Sequence, residues 1–124
     1  NALILWYGCF GYNNSGKMEK DWVYQNFFGC EDLASIEEEL RLSNPVEHLT
    51  EKACPTFLQH GREDTVVPYR QSVVYYEKLV EKAGEKRNRL ELLDQCDHAD
   101  EKLFAQDNIA KVFDFVENVF SSTK

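Results

Sequence analysis

Residues 2–7, Ala-Leu-Ile-Leu-Trp-Tyr, are apolar without a break and stop at Gly8. A strand with one wet face alternates apolar and polar residues, whereas an unbroken run suits a strand covered on both faces, as in a parallel sheet. A second run, Thr56 to His60, is opened by Pro55 and closed by Gly61. A third, Leu90 to Leu93, is shorter and interrupted by Glu91. Asn1 stands directly before what reads as a central strand, so the chain reads as cut from something longer.

Helical signals fill the intervals. From Lys20 to Ser43 the residues Trp22, Val23, Phe27, Phe28, Leu33, Ile36 and Leu40 suggest two short helices broken near Gly29, after a turn cluster at Asn13-Asn14-Ser15-Gly16. Asn44-Pro45 ends that region. Val73, Tyr76, Val80 and Ala83 recur at helical spacing, with Gly84 where a C-cap belongs, and Ile109, Val112, Phe113, Val116 and Phe120 mark a final amphipathic helix. Strands separated by helices of this length imply βαβ crossovers. The expected class is therefore α/β, with about three parallel strands flanked by helices.

A chain of 124 residues, 43% apolar and 29% charged, can bury a real core. Its net charge of −8 opposes the attraction on which nucleic-acid binding rests. No apolar run approaches the roughly 20 residues that span a bilayer, and the first residues do not read as a signal peptide. Cys9, Cys30, Cys54 and Cys96 are unevenly spaced without a C-x-x-C pair. They read as free thiols in a reducing, cytoplasmic setting rather than as a zinc or redox motif.

In open parallel sheets, functional groups gather beyond the C-terminal strand ends. Here those loops follow Gly8, run from Gly61 to Pro68, and run from Gln95 to Asp100. The second holds Asp64 and the third His98. A carboxylate accepting the imidazole Nδ1–H fixes the tautomer and leaves Nε2 free to take a proton from a serine hydroxyl. Spacing alone would leave such a pair unremarkable.

The segment His60-Gly61-Arg62-Glu63-Asp64-Thr65-Val66-Val67-Pro68-Tyr69-Arg70-Gln71-Ser72 resembles the stretch around the acid in α/β hydrolases, especially the prolyl oligopeptidase, dienelactone hydrolase and esterase-lipase branches. Ser43-Asn44-Pro45, His60-Gly61, Asp64, Val67-Pro68 and His98 fall in that family's order, and residues 43–120 are covered well. Leu5-Trp6-Tyr7-Gly8 is similar to the strand after the nucleophile. The resemblance implies a partial α/β-hydrolase fold carrying the last three strands of the sheet. Residues 1–124 would be the C-terminal part of one catalytic domain, with 20–50 as a helical insert or cap-like segment. It implies Asp64 as the acid and His98 as the base of a triad.

The nucleophile is missing. The family's serine lies in G-x-S-x-G, and none of Ser15, Ser35, Ser43, Ser72, Ser121 and Ser122 stands in that pattern. An H-G-G-G oxyanion loop is also lacking, so both parts are expected upstream of Asn1. Asp97 and Asp100 flank His98, and negative charge there would favour the imidazolium. Glu63 is the competing acid, set aside because the family places the acid immediately before Thr65-Val66-Val67-Pro68.

Other candidates read more simply. His60 is expected to be a hydrogen-bonded structural residue rather than a second base, and His48 a loop residue. Trp22, Tyr24, Phe27 and Phe28 could line a substrate pocket, but fit an insert burying its own aromatics better. Glu37-Glu38-Glu39 reads as a solvated face. Substrate-binding residues are not legible.

The function expected of the parent is ester cleavage through an acyl-serine intermediate, on a small ester or peptide substrate, with no cofactor or metal. A prolyl oligopeptidase-like peptidase and a non-catalytic binding module are the alternatives. The chain alone is expected to be inactive. With the edge of Ala2 to Tyr7 unpaired, it is expected to form a homodimer through that strand.

Overall fold

Three strands form where the apolar runs lie: β1 Leu3–Trp6, β2 Thr56–Gly61 and β3 Arg89–Leu93. A computed structural model of the chain, describing residues 1–11 and 21–122, pairs them in parallel in the order β1-β2-β3. The register places Leu5 beside Leu58 and Leu58 beside Leu90, while Trp6, Gln59 and Glu91 share the next rung. One face of the sheet is thus apolar and the other mixed. β2 is buried at every position, and β1 is half-buried throughout. The turn cluster expected at Asn13 to Gly16, and the side chains of Trp22 and Val23, lie outside the described residues.

The segment between β1 and β2 contains α1 Asp21–Phe28 and α2 Glu37–Ser43, with 3-10 turns at Leu33–Ile36 and Pro45–His48. Asp32 starts the first turn by accepting Ala34 N–H, and Asn44 starts the second by accepting Val46 N–H. Asn44-Pro45 therefore does not end the helical region; Pro45 opens a further turn, as its fixed φ allows. Tyr24 ties α1 to the loop after β1 through its hydroxyl, 2.8 Å from Cys9 Sγ. Phe27 packs edge-on against Phe28 yet stays 80% exposed. Glu37, Glu38 and Glu39 are exposed, as expected of a solvated face.

After β2 the chain forms α3, Arg70–Ala83, which packs on the apolar face. Gly84 ends it with φ 81° and its N–H on Val80 O, a conformation that favours glycine. The buried stripe differs from the expected one. Gln71, Ser72, Tyr75 and Leu79 face inward, whereas Val73, Tyr76 and Val80 are only partly covered. Polar residues can occupy that stripe because both are bonded. Gln71 takes Phe10 N–H and donates to Gly11 O, each at 2.9 Å, and Ser72 meets His60. Tyr75 and Leu79 join Phe10, Val46 and Leu58 in the core.

The mixed face is covered by α4, Glu101–Phe104, and α5, Gln106–Ser121. Its centre is a bonded polar cluster. Gln59 and Asn108 exchange two hydrogen bonds at 2.7 and 3.0 Å, and Trp6 Nε1–H donates to Gln59 Oε1 at 2.8 Å. Glu91, the residue that interrupts β3, meets Lys111 at 2.6 Å. The expected apolar stripe of α5 is only partly used: Ile109, Val112 and Val116 are half-buried, but Phe113 and Phe120 stay 63% and 53% exposed, and it is Phe115, outside that stripe, that reaches Phe57. Three strands are too narrow to cover the whole stripe. All four thiols are free, and no helix among the described residues is long and apolar enough to cross a membrane.

Candidate active site

Strand β2 delivers the loop that carries Asp64. At its end Arg62 N–H bonds Leu93 O and Glu63 N–H bonds Cys96 O, so this loop is laced to the one carrying His98. Gly61 makes the approach close enough: a Cβ placed there would lie 2.0 Å from Cys96 O. The Asp64 side chain then turns back on its own loop. Oδ1 accepts Val66 N–H at 2.9 Å and Val67 N–H at 2.7 Å, the turn-forming habit of a short acidic side chain.

Oδ2 faces the neighbouring loop, and His98 Nδ1 lies 2.9 Å from it. A carboxylate only accepts, so Nδ1 carries the proton and Nε2 is left with its lone pair. The Asp64 side chain has no exposed surface, while that of His98 is 27% exposed. The arrangement pairs a buried orienting acid with an imidazole open on one side. Glu63 is exposed and bonds only through its backbone among the contacts described above, so Asp64 occupies the position facing the ring.

The His98 loop is held by its aspartates. Asp97 Oδ1 accepts Thr65 N–H at 2.8 Å, Thr65 Oγ1–H at 2.9 Å and His98 N–H at 2.6 Å. These donors, Thr65 N–H foremost, hold the Asp97 carboxyl below its usual range. Asp100 caps α4 through Lys102 N–H, which likewise lowers its pKa. Both carboxylates are thus engaged with backbone donors. Gln95 and Ala99 bracket the loop in left-handed conformation, with φ 51° and 54°. Neither is glycine, so their φ was not legible in the sequence.

Two further residues complete the surroundings. Tyr7, directly after β1, has φ 40° and sets its ring 4.6 Å from that of His98. Sequence reasoning used Tyr7 only as the end of a strand; no local signal marked its place beside the imidazole. His60 is wholly buried, with Nδ1 2.7 Å from Ser72 Oγ and Nε2 2.9 Å from Val67 O. Burial pushes its pKa down, so it is neutral near pH 7. Since Val67 O can only accept, Nε2 bears the proton and Nδ1 accepts Ser72 O–H. His60 is hydrogen-bonded, as expected, and Nε2 also lies 3.0 Å from Asp64 Oδ2. His48 sits in a 3-10 turn against Leu42 O.

The described serines do not supply a nucleophile beside His98. Ser35, Ser43 and Ser122 bond back to carbonyls of their own turns, Ser72 is buried against His60, and Ser121 is the exposed last residue of α5. A cavity of about 710 Å³ lies instead at the N-terminal ends of the strands, lined by Pro55, Asn88, Arg89 and Phe115 among others. It is at the wrong end of the sheet for this chemistry. Among the described residues no cluster of His, Cys, Asp and Glu could hold a metal ion.

Solved structures share this arrangement of strands and helices. A truncated carbohydrate esterase from gut microbiota is 18% identical over 97% of this chain, with a TM-score of 0.81. A bifunctional GH43-CE protein of Bacteroides eggerthii is 21% identical over 96%, also with a TM-score of 0.81. Esterase 2 of Thermogutta terrifontis, phosphonylated by sarin, is 20% identical over 95%, with a TM-score of 0.63. The chain spans 43%, 15% and 41% of those three chains, less than half of each. No curated protein matches significantly by sequence. Residues 1–79, including β1, β2 and the Asp64 loop, match the BD-FAE family. With three parallel strands laid out as in esterases of α/β-hydrolase fold, the chain therefore belongs to the BD-FAE family, an α/β-hydrolase-type domain.

Proposed function

We propose that this chain supplies the acid and base of a serine hydrolase that cleaves carboxylic esters. The carrying observation is the 2.9 Å contact between Asp64 Oδ2 and His98 Nδ1, with the acid buried and the imidazole partly open. A serine contributed by the rest of such a domain would lose its proton to His98 Nε2 while its Oγ adds to the ester carbonyl. The tetrahedral intermediate then expels the alcohol, which takes the same proton from Nε2 and leaves an acyl-serine. Water repeats the sequence in reverse order of roles: His98 takes its proton, the hydroxyl adds, and serine departs reprotonated. Asp64 holds the ring through both halves and stays a carboxylate.

Esters are favoured over peptides because two of the structural neighbours named above are esterases by name, one of them a carbohydrate esterase. Carbohydrate esters are accordingly the first substrates to try. None of the described serines stands beside His98 and no serine of the sequence lies in G-x-S-x-G, so the chain by itself is expected to be inactive.

An organophosphonate probe tests the reading, since esterase 2 of Thermogutta terrifontis forms a phosphonyl adduct. The 124-residue chain should show no adduct in its intact mass. The longer protein containing it should gain a single adduct that His98→Ala and Asp64→Asn suppress. A specific adduct on the short chain would make one of its own serines the nucleophile, and an unreactive longer protein would favour a non-catalytic module.

A further inference from the structure

Asp64 has a second imidazole at hand. His60 Nε2 lies 3.0 Å from the same Oδ2 that meets His98 Nδ1 at 2.9 Å. The two rings reach it from different elements, His60 from the end of β2 and His98 from the loop after β3. The far side of His60 is fixed by Ser72 Oγ of α3, and its Nε2–H is steered by Val67 O. His60, Ser72 and the Asp64 side chain are all buried completely.

We propose that His60 is a positioning residue for the acid of the proposed pair. Its single Nε2–H, shared between Val67 O and Asp64 Oδ2, sets the rotation of the carboxylate and takes up part of its negative charge. The carboxylate then has donors on both oxygens: two backbone N–H groups on Oδ1, and His60 beside His98 on Oδ2. This matters for the base. A carboxylate whose charge is shared with a neutral donor attracts the His98 proton less strongly than one facing His98 alone. His60 therefore loosens the hold of Asp64 on the His98 proton. A charged residue in its place would disturb the balance, and the neutral state enforced by burial preserves it. The titratable groups facing His60 are Asp64 and His98. Its other partners, Ser72 hydroxyl and Val67 carbonyl, do not titrate in this range.

The proposal rests on the reading of Asp64 and His98 as acid and base, and magnetic resonance of the full chain separates the two. Imidazole nitrogens labelled in the histidines are followed from about pH 5 to about pH 9, the range in which histidine titrates. His60 should carry its proton on Nε2, and that resonance should move as His98 titrates, because both bond one oxygen. In His60→Phe the His98 midpoint should rise by about 0.5 or more as the shared donor is lost. In His60→Gln, whose amide restores a donor, it should return to the wild-type value. A proton on His60 Nδ1 overturns the proposal, as does an unchanged or lowered His98 midpoint in a folded His60→Phe protein. Should that variant not fold, the wild-type tautomer and the coupled shift decide. If wild-type His98 does not carry its proton on Nδ1, the acid–base pair itself falls and the proposal with it.

Discussion

Gly61 and Cys96 touch backbone to backbone, with room for no side-chain atom between them: a Cβ on Gly61 would come within 2.0 Å of Cys96 O. This contact brings the Asp64 loop against the His98 loop, so a glycine outside the reacting groups controls the distance between them. Gly61→Ala must push the loops apart. We expect it to destabilise the chain by about 1–3 kcal/mol, read by denaturant unfolding, and to abolish the Nδ1–H signature of His98. Full stability in Gly61→Ala would mean that the loops separate without cost.

Tyr7 packs against His98, with ring centroids 4.6 Å apart. An aromatic ring at that distance shifts the imidazole proton resonances and limits the ring's rotation. Tyr7→Phe should leave the His98 resonances where they are, and Tyr7→Ala should return them toward free-histidine positions and broaden their mobility. Because Tyr7 has φ 40°, Tyr7→Gly should recover stability relative to Tyr7→Ala. Identical His98 spectra in the Ala and Phe variants would remove Tyr7 from the site.

Burial holds the folded-state pKa of His60 below its ordinary value of 6.5. The unfolded chain then binds more protons than the native one, and stability rises with pH. The contribution of His60 is complete above the unfolded pKa and is lost as pH falls through the folded value. Below the ordinary carboxylate range the lowered pKa of Asp97 adds a second loss of the same sign. Denaturation midpoints measured against pH should decline below about 6.5, and His60→Gln should flatten that part while leaving the more acidic decline in place. A wild-type midpoint constant through this range would contradict the assignment.

The outer edge of β1, unpaired among the described residues, concerns assembly. Leu3 and Tyr7 direct their N–H groups to Pro55 O and Gln59 O on the β2 side. By the alternation of a strand, Ile4 and Trp6 direct theirs outward. With Phe113 and Phe120 exposed on α5, the isolated chain is expected to pair this edge with a second copy, giving a homodimer with a continuous sheet. Sedimentation should record a dimer, and Ile4→Pro, which removes an outward donor without touching the β1–β2 bonds, should return it to monomer. A wild-type monomer at high concentration would refute the pairing.

The sequence by itself determined the order of strands and helices, because unbroken apolar runs and helical spacing are local signals that survive without knowledge of partners. It also pointed to Asp64 and His98, since the loops after parallel strands are where such groups gather, and the resemblance around His60 to Pro68 put Asp64 forward as the acid of the proposed pair. The inward face of α3 was decided only by the fold: the helical spacing pointed to Val73, Tyr76, Val80 and Ala83, whereas Gln71 and Ser72 turn inward because Phe10, Gly11 and His60 are present to bond them. The same holds for Tyr7 beside His98, for Asp97 turned onto Thr65, and for His60 against Asp64. Each joins residues of different elements, and the pairing depends on strand register and loop approach. A buried polar group declares its role only when its partner is in reach, and tertiary structure alone brings the two together.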